Sequence, residues 1–538
     1  MSLRNSSLER LKNETFDVII LGGGINGAVS AASLSAKGAK TALIDERDFA
    51  GFTSQNSSNL AWGGIKYMES YEFGLVRKLC MSRNKLMKNY PSTVQEIRFY
   101  TTISKNFRYN RYFLYMGTLF YWLMGNFFTK PPRPLSRETV MKEEPLIDLT
   151  DSTGGFEYSD CYLHDNDARF VFNFIRSAMN YGCAAANYVR SEGAKRENGI
   201  WTVQAEDRMT GKKFPIRGKV LINSCGPFAD EHNQKTGIRT SHKHVFSKGI
   251  HLIVNQITPN KRILTFFADD GRLFFVIPMG AKTCIGTTDT QVDSPESSVT
   301  PEDRKFVLDN INKRLKFPKP LTEADVIAER CGVRPLVVET AKTDGKADWV
   351  KLSRKHAVDA DRENLHISIF GGKLTDCLNV GDEISDLVKS FNIKLLYEDR
   401  KWYGEPSEDT KEEFLHQARL MDLDGMTDPR SSEKLSERLW RRYGANAFNM
   451  LEQIRIDRTN ADRLIENAEY TKCELQYAAQ HEMITKLEDF LRRRSKIELV
   501  VRQEDLKNAK GLQKACEIFF GPDAEKRLKE YFDSRKSV

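Results

Sequence analysis

This sequence of 538 residues has no clustered cysteines and only a small excess of positive charge. Its nine cysteines are scattered, and no CxxC pair occurs among them. This pattern indicates reduced thiols, and predicts neither a disulfide framework nor a metal site. The net charge of +8 is mild for this length, and no basic stripe with interleaved aromatics is present. Nucleic acid is therefore not an expected partner.

Long apolar runs are also few. The first fifteen residues are polar and lack the apolar core of a secretory signal, which predicts a cytoplasmic protein. Residues 112–128, YFLYMGTLFYWLMGNFF, carry no charge but fall short of the roughly 20 apolar residues that a spanning helix needs. We interpret them as a buried or partly buried helix. The alternative is peripheral contact with the inner face of the cell membrane, because aromatic rings suit the headgroup region.

A glycine-rich turn stands near the start of the chain. The apolar run FDVIIL at 16–21 predicts a strand, GGGINGA and the following Ala- and Ser-rich residues predict a helix, and KTALID at 40–45 predicts a second strand. Gly22, Gly24 and Gly27 form the G-x-G-x-x-G pattern of a dinucleotide-binding βαβ unit. Here the glycines permit the tight turn, the approach of the pyrophosphate and the close packing of helix on strand.

An acidic residue ends the second strand. Asp45 lies 18 residues after Gly27, where a carboxylate can accept hydrogen bonds from ribose hydroxyls. A carboxylate at this place disfavours NADP. The motif itself does not separate FAD from NAD. FAD is favoured because the unit opens the chain, so that distant segments such as 218–228 and 366–372 must complete the sheet.

The remaining pattern predicts three parts. Residues 236–355 contain strand-like runs typical of an antiparallel sheet, and from about residue 396 heptad-like apolar spacing predicts helices. The fold class is thus an α/β Rossmann-type nucleotide domain, discontinuous in sequence, with an α+β substrate domain and a C-terminal helical domain. The expected bounds are 16–90, 155–235 and 356–395 for the nucleotide domain, 91–154 and 236–355 for the substrate domain, and 396–538 for the helical domain.

Several longer motifs resemble the FAD-dependent glycerol-3-phosphate dehydrogenase family. They are GGGINGA, TSQNSSNLAWGGIKYMESYEFGLV (53–76), GGFEYSDC (154–161), AKRENGIWTVQAED (194–207), KGIHLIV (248–254), FFVIPM (274–279), IGTTD (285–289), GVRPL (332–336) and FGGKLT (370–375). They occur in the family's order and cover roughly residues 16 to 500. The family lies within the D-amino-acid-oxidase-like flavoprotein superfamily.

This resemblance implies an activity and its partners. The expected reaction is hydride transfer from C2 of glycerol 3-phosphate to N5 of FAD, which gives dihydroxyacetone phosphate. Electrons would then pass to membrane quinone or to oxygen. A homodimer is also compatible with such a protein.

The resemblance also assigns candidate catalytic and substrate-binding residues. His251 in KGIH would be the general base. Arg334 in GVRPL would stabilise the oxyanion or hold the phosphate, and Arg354 would be a second phosphate ligand. Lys373 in FGGKLT would favour negative charge on the reduced flavin. Lys66 and Tyr67 also match substrate-binding positions.

Further positions match cofactor-binding segments of the family. Gly226 follows the strand at 220–224, and Val189 would offer backbone groups to the adenine. The full set of expected cofactor contacts is Gly22, Gly24, Asn26, Gly27, Asp45, Ser54, Ser58, Asn59, Leu60, Val189, Gly226, Gly372, Lys373, Leu374 and Thr375.

Three positions depart from the family's usual KLIHGG and L-R-Y run. Lysine, histidine and arginine are replaced by Asn59, Trp62 and Lys66. Lys66 keeps a positive charge but loses the bidentate fork that suits phosphate. Trp62 cannot do the proton or hydrogen-bond work of a histidine. The flavin site should survive these changes, whereas the substrate pocket is where a difference would arise.

Two rival functions therefore stay open. One is a flavin oxidoreductase of the same superfamily acting on another hydroxy or amino acid, and the other is a flavin-binding interaction protein with little turnover. Basic runs in the helical part, at Arg438, Arg441, Arg442 and 492–494, are interpreted as solvated faces, with anionic lipid contact as the alternative.

Overall fold

The computed structural model describes residues 2–105, 107, 109–268, 271–340, 356–429 and 431–535. Its strands are β1 Thr15–Leu21, β2 Thr41–Ile44, β3 Leu60–Ala61, β4 Val94–Ser104, β5 Arg133–Leu135, β6 Ser152–Leu163, β7 Ala184–Ala186, β8 Val189–Glu197, β9 Ile200–Asp207, β10 Lys213–Asn223, β11 His242–Asn255, β12 Ile263–Phe267, β13 Leu273–Met279, β14 Lys282–Gly286, β15 Thr290–Val292, β16 Ala328–Glu339, β17 Ala357–Asp361 and β18 His366–Phe370.

The α-helices are α1 Leu3–Asn13, α2 Ile25–Ala36, α3 Phe73–Asn89, α4 Arg111–Met124, α5 Arg137–Glu143, α6 Asp167–Asn180, α7 Ala229–Thr236, α8 Pro301–Arg314, α9 Cys377–Ser390, α10 Glu408–Leu420, α11 Leu435–Tyr443, α12 Ala447–Ile456, α13 Lys472–His481, α14 Ile497–Val500, α15 Gln503–Lys507, α16 Leu512–Phe520 and α17 Ala524–Arg535. A π-helical segment covers Asp489–Arg494.

The first sheet is built around the predicted βαβ unit. Its strand order is β17-β18-β10-β1-β2-β7, with β9 beside β10 and β8 beside β9. β1 pairs in parallel with β2 and β10, and β18 pairs in parallel with β10. The distant strands 218–223 and 366–370 therefore complete this sheet, as the sequence predicts.

Both faces of the first sheet are covered. In β1, Val18 and Ile20 belong to one apolar core, which includes α2, and Ile19 and Leu21 belong to the core on the opposite face. Strands buried on both faces need a continuous apolar run, and FDVIIL supplies it.

The second sheet is mostly antiparallel. Its order is β15-β11-β14-β13-β12-β4-β6-β3, with β16 beside β11 and β5 beside β6. The short strand β5 contains Pro134 and pairs with β6. This is possible because β5 is an edge strand, where a proline costs no ladder hydrogen bond.

The basic runs of the helical part correct the sequence interpretation. Arg438, Arg442 and Arg492–Arg494 are all buried, so they form neither solvated faces nor a lipid contact. Arg493 and Arg494 donate to the buried carboxylate of Asp48, with Nε–Oδ2 and Nη1–Oδ2 distances of 2.6 and 2.8 Å. Their charge is balanced inside the protein, in ion pairs that join the helical part to the loop after β2.

A second group of buried charges also forms ion pairs between distant parts of the sequence. The guanidinium of Arg441, whose side chain is 6% exposed, and that of Arg442 both contact Asp165. Burial by itself would raise the pKa of Asp165, but Arg441 and Arg442 hold it well below its usual range. Periodicity could not reveal these pairs, because the acidic partners lie more than 270 residues away.

Residues 112–128 contain a partly buried helix, α4. Tyr121 on its inner face donates to the buried carboxylate of Asp160 at 2.6 Å. Its outer face carries exposed apolar side chains: Tyr112, Phe113, Met116, Phe120 and Leu123. Among the described residues, no helix is long and apolar enough to cross a membrane.

Candidate functional site

The glycine turn forms one wall of a cavity of about 430 Å³ at the carboxyl ends of β1 and β2. Gly22 has φ +94°, a conformation that side chains rarely tolerate. A Cβ on Gly27 would lie 1.9 Å from the carbonyl oxygen of Gly22. Gly24 precedes the first turn of α2 and lines the cavity. Gly22 and Gly27 thus allow the tight turn and the close packing of α2 on β1.

Asp45 lines the same cavity at the end of β2. Its carboxylate accepts hydrogen bonds from the backbone N–H groups of Gly23, at 2.6 Å, and Arg47, at 2.8 Å. Burial raises the pKa of Asp45 to about 7 despite these bonds. Val189 also lines the cavity, and its N–H donates to the carbonyl of Asp45. Its N–H is therefore already used within the protein.

Two returning segments close the cavity. Gly226 follows β10 with φ +55°, and Gly372 follows β18 with φ +108°. The side-chain amide of Asn26, from the first turn of α2, donates to the carbonyl of Gly371 at 2.9 Å. These contacts bring the start of the chain and a segment 345 residues later to the same edge of the sheet.

The segment from Thr53 to Leu60 connects the cavity to the second sheet. The hydroxyl of Ser54 accepts from the N–H of Ile25 at 3.0 Å. The hydroxyl of Ser58 lies 2.9 Å from Nε2 of His251. Leu60 begins β3 and pairs with Tyr162 of the second sheet. The segment therefore passes from the glycine turn to His251.

One face of the second sheet carries the candidate catalytic groups. β11 and β16 are antiparallel, with Ser247 opposite Arg334, Gly249 opposite Gly332, and His251 opposite Arg330. Directly opposed residues point to the same side of a sheet. His251 and Arg334 therefore share a face, although they lie far apart in sequence.

The two opposed glycines make room on this face. A Cβ on Gly249 would lie 2.3 Å from Nη2 of Arg334, and one on Gly332 would lie 2.9 Å from the carbonyl oxygen of Asn56. The Arg334 guanidinium thus lies directly over Gly249. The segment that contains Asn56 packs over Gly332. A larger residue at Gly249 would displace the Arg334 guanidinium, and one at Gly332 would displace the segment that contains Asn56.

Arg334 is oriented by the residues that follow β14. Its Nη2 donates to the hydroxyl of Thr287 at 3.2 Å, and its Nη1 lies 3.5 Å from Asp289. Asp289 also accepts from the hydroxyl of Ser247. The side chain of Arg334 is 26% exposed, so solvent reaches a cation that is held in one orientation.

Lys373 lies between the two sheets. Its Nζ donates to the hydroxyl of Tyr67 at 2.8 Å, which brings together two of the predicted positions. Leu374 begins a short 3₁₀ turn, and the hydroxyl of Thr375 donates to the carbonyl of Trp62 at 3.2 Å. The FGGKLT segment is therefore in direct contact with Trp62, one of the positions at which this chain departs from the family's run.

One predicted substrate ligand, Lys66, is not brought into this group. Lys66 is exposed, and within the described ranges its side chain makes no hydrogen bond or ion pair. Arg354 lies outside the described residues. Their roles in substrate binding stay predictions.

Sequence reasoning missed Arg330 and Arg492. Arg330 is 1% exposed, and its Nη1 donates to the carbonyl of Ser57 and to the side chain of Asn59. Arg492, from the π-helical segment, donates to Gln55 and Asn56. One signal was available for Arg330, because it lies four residues before Arg334 on a strand and so faces the same side. Nothing local identified Arg492.

Asn59 is buried and is hydrogen-bonded within the protein. It is 6% exposed, has φ +56° and accepts from Arg330. In the family's usual run a lysine stands here. In this chain the nearby cation is Arg330 instead, supplied by β16.

The imidazole of His251 is buried and neutral. Burial and the nearby charges of Arg330 and Arg334 lower its pKa to about 3. In the unfolded chain a histidine has a pKa of about 6.5. Between these values the unfolded state binds a proton that the folded state does not. This group therefore stabilises the fold above pH ~6.5 and costs about 1.4 kcal/mol for each pH unit below it.

We expect the replacement His251→Gln to weaken the acid sensitivity of the fold. The melting temperature of the unaltered protein should fall more between pH 7 and pH 5 than that of the variant, measured by differential scanning calorimetry. His416 is exposed, so His416→Gln serves as the control and should leave the pH dependence unchanged. Equal pH dependence in the unaltered protein and H251Q would contradict a neutral buried His251.

Comparison with known proteins identifies the family. The sequence model described as FAD dependent oxidoreductase matches residues 17–356, which is more than half of the chain. The chain belongs to the FAD-dependent oxidoreductase family. A second model, described as the C-terminal domain of alpha-glycerophosphate oxidase, matches residues 406–526 of this oxidoreductase.

Individual relatives agree with the family match. An aerobic glycerol-3-phosphate dehydrogenase from Staphylococcus aureus is 28% identical over 508 residues, covering 90% of this oxidoreductase and 88% of the relative. The structure of a glycerol-3-phosphate dehydrogenase from Bacillus halodurans, complexed with FAD, superposes with a TM-score of 0.73 at 24% identity, covering 99% of this chain and 97% of that one. These findings confirm the resemblance that the sequence motifs indicated.

A more distant solved structure has the same fold over most of both chains. It is the dithionite-reduced L-alpha-glycerophosphate oxidase from Mycoplasma pneumoniae with FAD bound, with a TM-score of 0.54 at 17% identity. The superposition covers 73% of this chain and 98% of that one.

The cofactor of this oxidoreductase is FAD, and the residues present fit it. The cavity is lined by Gly22, Gly24, Gly226 and Gly372, where a side chain would occupy the space that a dinucleotide needs. Asp45 supplies a buried carboxylate at one end. Pro335, the residue after Arg334 in β16, also lines this cavity.

Proposed function

We propose that this protein oxidises the C2 hydroxyl of sn-glycerol 3-phosphate and forms dihydroxyacetone phosphate. The observation that carries the proposal is the register of β11 and β16. It places His251 and Arg334 on one face, next to the segment that leads from the FAD cavity. The relatives named above, and the glycerophosphate oxidase match of the C-terminal part, support this substrate.

Arg334 is the proposed ligand of the substrate's anionic groups. Thr287 and Asp289 hold its guanidinium while part of the side chain stays accessible. A guanidinium can bind a phosphate or a developing alkoxide through two parallel hydrogen bonds. Because its neighbours fix it before substrate arrives, little reorganisation is needed when charge develops.

His251 is the proposed general base. With a pKa lowered to about 3, its imidazole is neutral at the pH of the cell and can accept a proton. Its Nε2 faces Ser58, 2.9 Å away. We propose that Nε2 takes the proton of the C2 hydroxyl as the C–H bond breaks. The negative charge of the substrate phosphate would raise the proton affinity of the imidazole and so help this step.

Lys373 completes the proposed site. When bound, FAD supplies the hydride acceptor. The hydroxyl of Tyr67 holds the ammonium of Lys373 at 2.8 Å. This ammonium would favour negative charge on the reduced flavin. Lys66 and Arg354 are the remaining proposed phosphate ligands.

An anaerobic reduction experiment tests the proposal. Purified protein with FAD bound is mixed without oxygen with glycerol 3-phosphate, glycerol, glycine or lactate, and the bleaching of the oxidised flavin's visible absorbance is followed. We expect glycerol 3-phosphate to bleach the flavin. Bleaching by another of these compounds alone would favour the rival oxidoreductase. No bleaching by any of them would favour a binding protein.

We further propose that the exposed face of α4 lies on a membrane that contains anionic lipid. Phe113 is 64% exposed, and Phe120 stacks edge-to-face on Phe73 at 5.6 Å, so the apolar surface continues onto α3. From residue 97 to residue 137 the chain has seven Lys and Arg residues and no Asp or Glu. An apolar face flanked by cations is the pattern of an interfacial helix. This position would give a lipid-soluble quinone access to the site.

A vesicle-binding assay tests this surface. We expect the double change Phe113→Glu and Phe120→Glu to reduce flotation with vesicles of phosphatidylglycerol by roughly tenfold or more, since each charge must leave water to bind. Leu420 is 75% exposed on α10, and Leu420→Glu serves as the control that should float like the unaltered protein. Equal loss in both variants, or no loss in the double variant, would show that α4 does not bind the lipid.

A further inference from the structure

A second and larger cavity lies between the two halves of the molecule. Its volume is about 910 Å³. One wall is the turn between β13 and β14, with Lys282, and the opposite wall belongs to the helical part, with Arg438, Lys496 and Arg502. Within the described residues it shares no lining residue with the FAD cavity.

More cations than acids line this cavity. Among its acidic residues, Asp428 is paired with Arg463 at 3.0 Å, and Glu469 accepts from the N–H of Ser432. The remaining two, Asp462 and Asp505, are exposed at the rim. Arg438 and Arg442 are each paired with Glu474, whereas Lys496 has no ion pair among the described residues.

Two of these cations have unused donors. Within the described part of the chain, the side chain of Lys496 has no hydrogen bond or ion pair, although it is half-buried. Burial lowers its pKa, and Arg441 and Arg442 oppose the attraction of Asp165. Arg438 is 5% exposed, and its Nε has no hydrogen-bond partner among the described residues. Buried donors without partners are costly, and such groups in a cavity indicate a missing ligand.

We propose that this cavity binds a small multivalent oxyanion of the phosphate-ester or pyrophosphate class. Such an anion would pair with Lys496 from the helical part and contact Lys282 from the sheet at the same time. A concave site lined by cations concentrates anions of this kind. Binding would hold the helical part against the second sheet.

The proposed site is separate from the substrate site. Lys282 and Gly286 are the two ends of β14, and Gly286 is paired with His251. The four steps of strand between them correspond to roughly 13 Å. An anion at Lys282 therefore does not contact Arg334.

Titration calorimetry of the FAD-bound protein with inorganic pyrophosphate, at low ionic strength, tests the proposal. We expect saturable binding that is weakened by roughly tenfold or more by Lys496→Gln and also by Lys282→Gln, the second of which lies at the mouth of the cavity. Lys514 is 67% exposed on α16, and Lys514→Gln should keep the Kd of the unaltered protein. Arg334→Gln should also keep it.

Each other outcome overturns the proposal. Loss of binding in R334Q but not in K496Q or K282Q would place the pyrophosphate in the substrate site. Equal weakening in K514Q would indicate general attraction to a basic surface. No binding at millimolar pyrophosphate, in protein whose FAD content and melting temperature are normal, would show that the cavity does not take this class of ligand.

Discussion

Replacing Arg334 with alanine should lower kcat/KM for glycerol 3-phosphate by about 10³-fold while FAD stays bound. The size follows from the loss of an oriented charge at the place where substrate charge develops, which costs about 10²–10³-fold for a single neutral donor. Arg334 does not line the FAD cavity, and its neighbours Thr287 and Asp289 belong to the second sheet. Cofactor binding should therefore be independent of it.

Steady-state kinetics and the ratio of flavin to protein absorbance measure the two parts of this expectation. Arg334→Lys should recover only part of the activity, because an ammonium keeps the charge but not the bidentate geometry. Arg239 is exposed, so Arg239→Ala is the matched control and should retain full activity. If R334A turned over glycerol 3-phosphate about as fast as the unaltered protein, Arg334 would have no role in substrate binding.

Replacing Gly27 with alanine should yield protein that holds little FAD. The new Cβ would lie 1.9 Å from the Gly22 carbonyl and 2.7 Å from the hydroxyl of Ser224. The clash is with backbone, so α2 must move away from β1, and the glycine turn moves with it. Overpacking of this kind costs about 1–3 kcal/mol, and a contact with fixed backbone belongs at the upper end.

The flavin absorbance of protein purified by an identical procedure measures this effect. A Cβ added to Gly117 in α4 would meet no neighbouring side chain or strand within 4 Å. Gly117→Ala should therefore keep the full FAD content and gain up to about 1 kcal/mol from helix propensity. Full FAD content in G27A would show that the turn can shift without loss of the site.

The nucleotide-binding half of the site was predictable because its determinants are local. Gly22, Gly24, Gly27 and Asp45 lie within one short stretch of chain, and each has a role that follows from the geometry of one βαβ unit. The return of 366–370 to the same sheet was also predictable, because a parallel sheet needs further apolar strands. Val189 lines the cavity, but its N–H bond to Asp45 could not be foreseen.

The candidate catalytic groups were predictable only as a set of residues, and not as an arrangement. His251 and Arg334 share a face because of the pairing register of β11 and β16, which no local pattern determines. The same register adds Arg330 and aligns Gly249 with Gly332. Resemblance supplied the two predicted residues and missed Arg330, whose partner Asn59 is a position where this chain departs from the family.

Charge was the least reliable guide. A run such as Arg492–Arg494 is usually solvated, and here all three side chains are buried. The reason is the supply of acids from elsewhere in the chain, such as Asp48, which is 1% exposed. Lys66, in contrast, is exposed, and its role in substrate binding stays a prediction.

The ion pairs of Asp48 link the two regions of this enzyme that match separate sequence models. The regions, 17–356 and 406–526, are recognised by independent sequence models, as if they were exchangeable modules. Yet the cations that neutralise Asp48, just beyond β2, come from Arg493 and Arg494 in the second region. A shortened or recombined chain would keep a buried carboxylate without its counter-ions, a loss worth about 3–5 kcal/mol. The two regions are therefore expected to be inherited, expressed and degraded together.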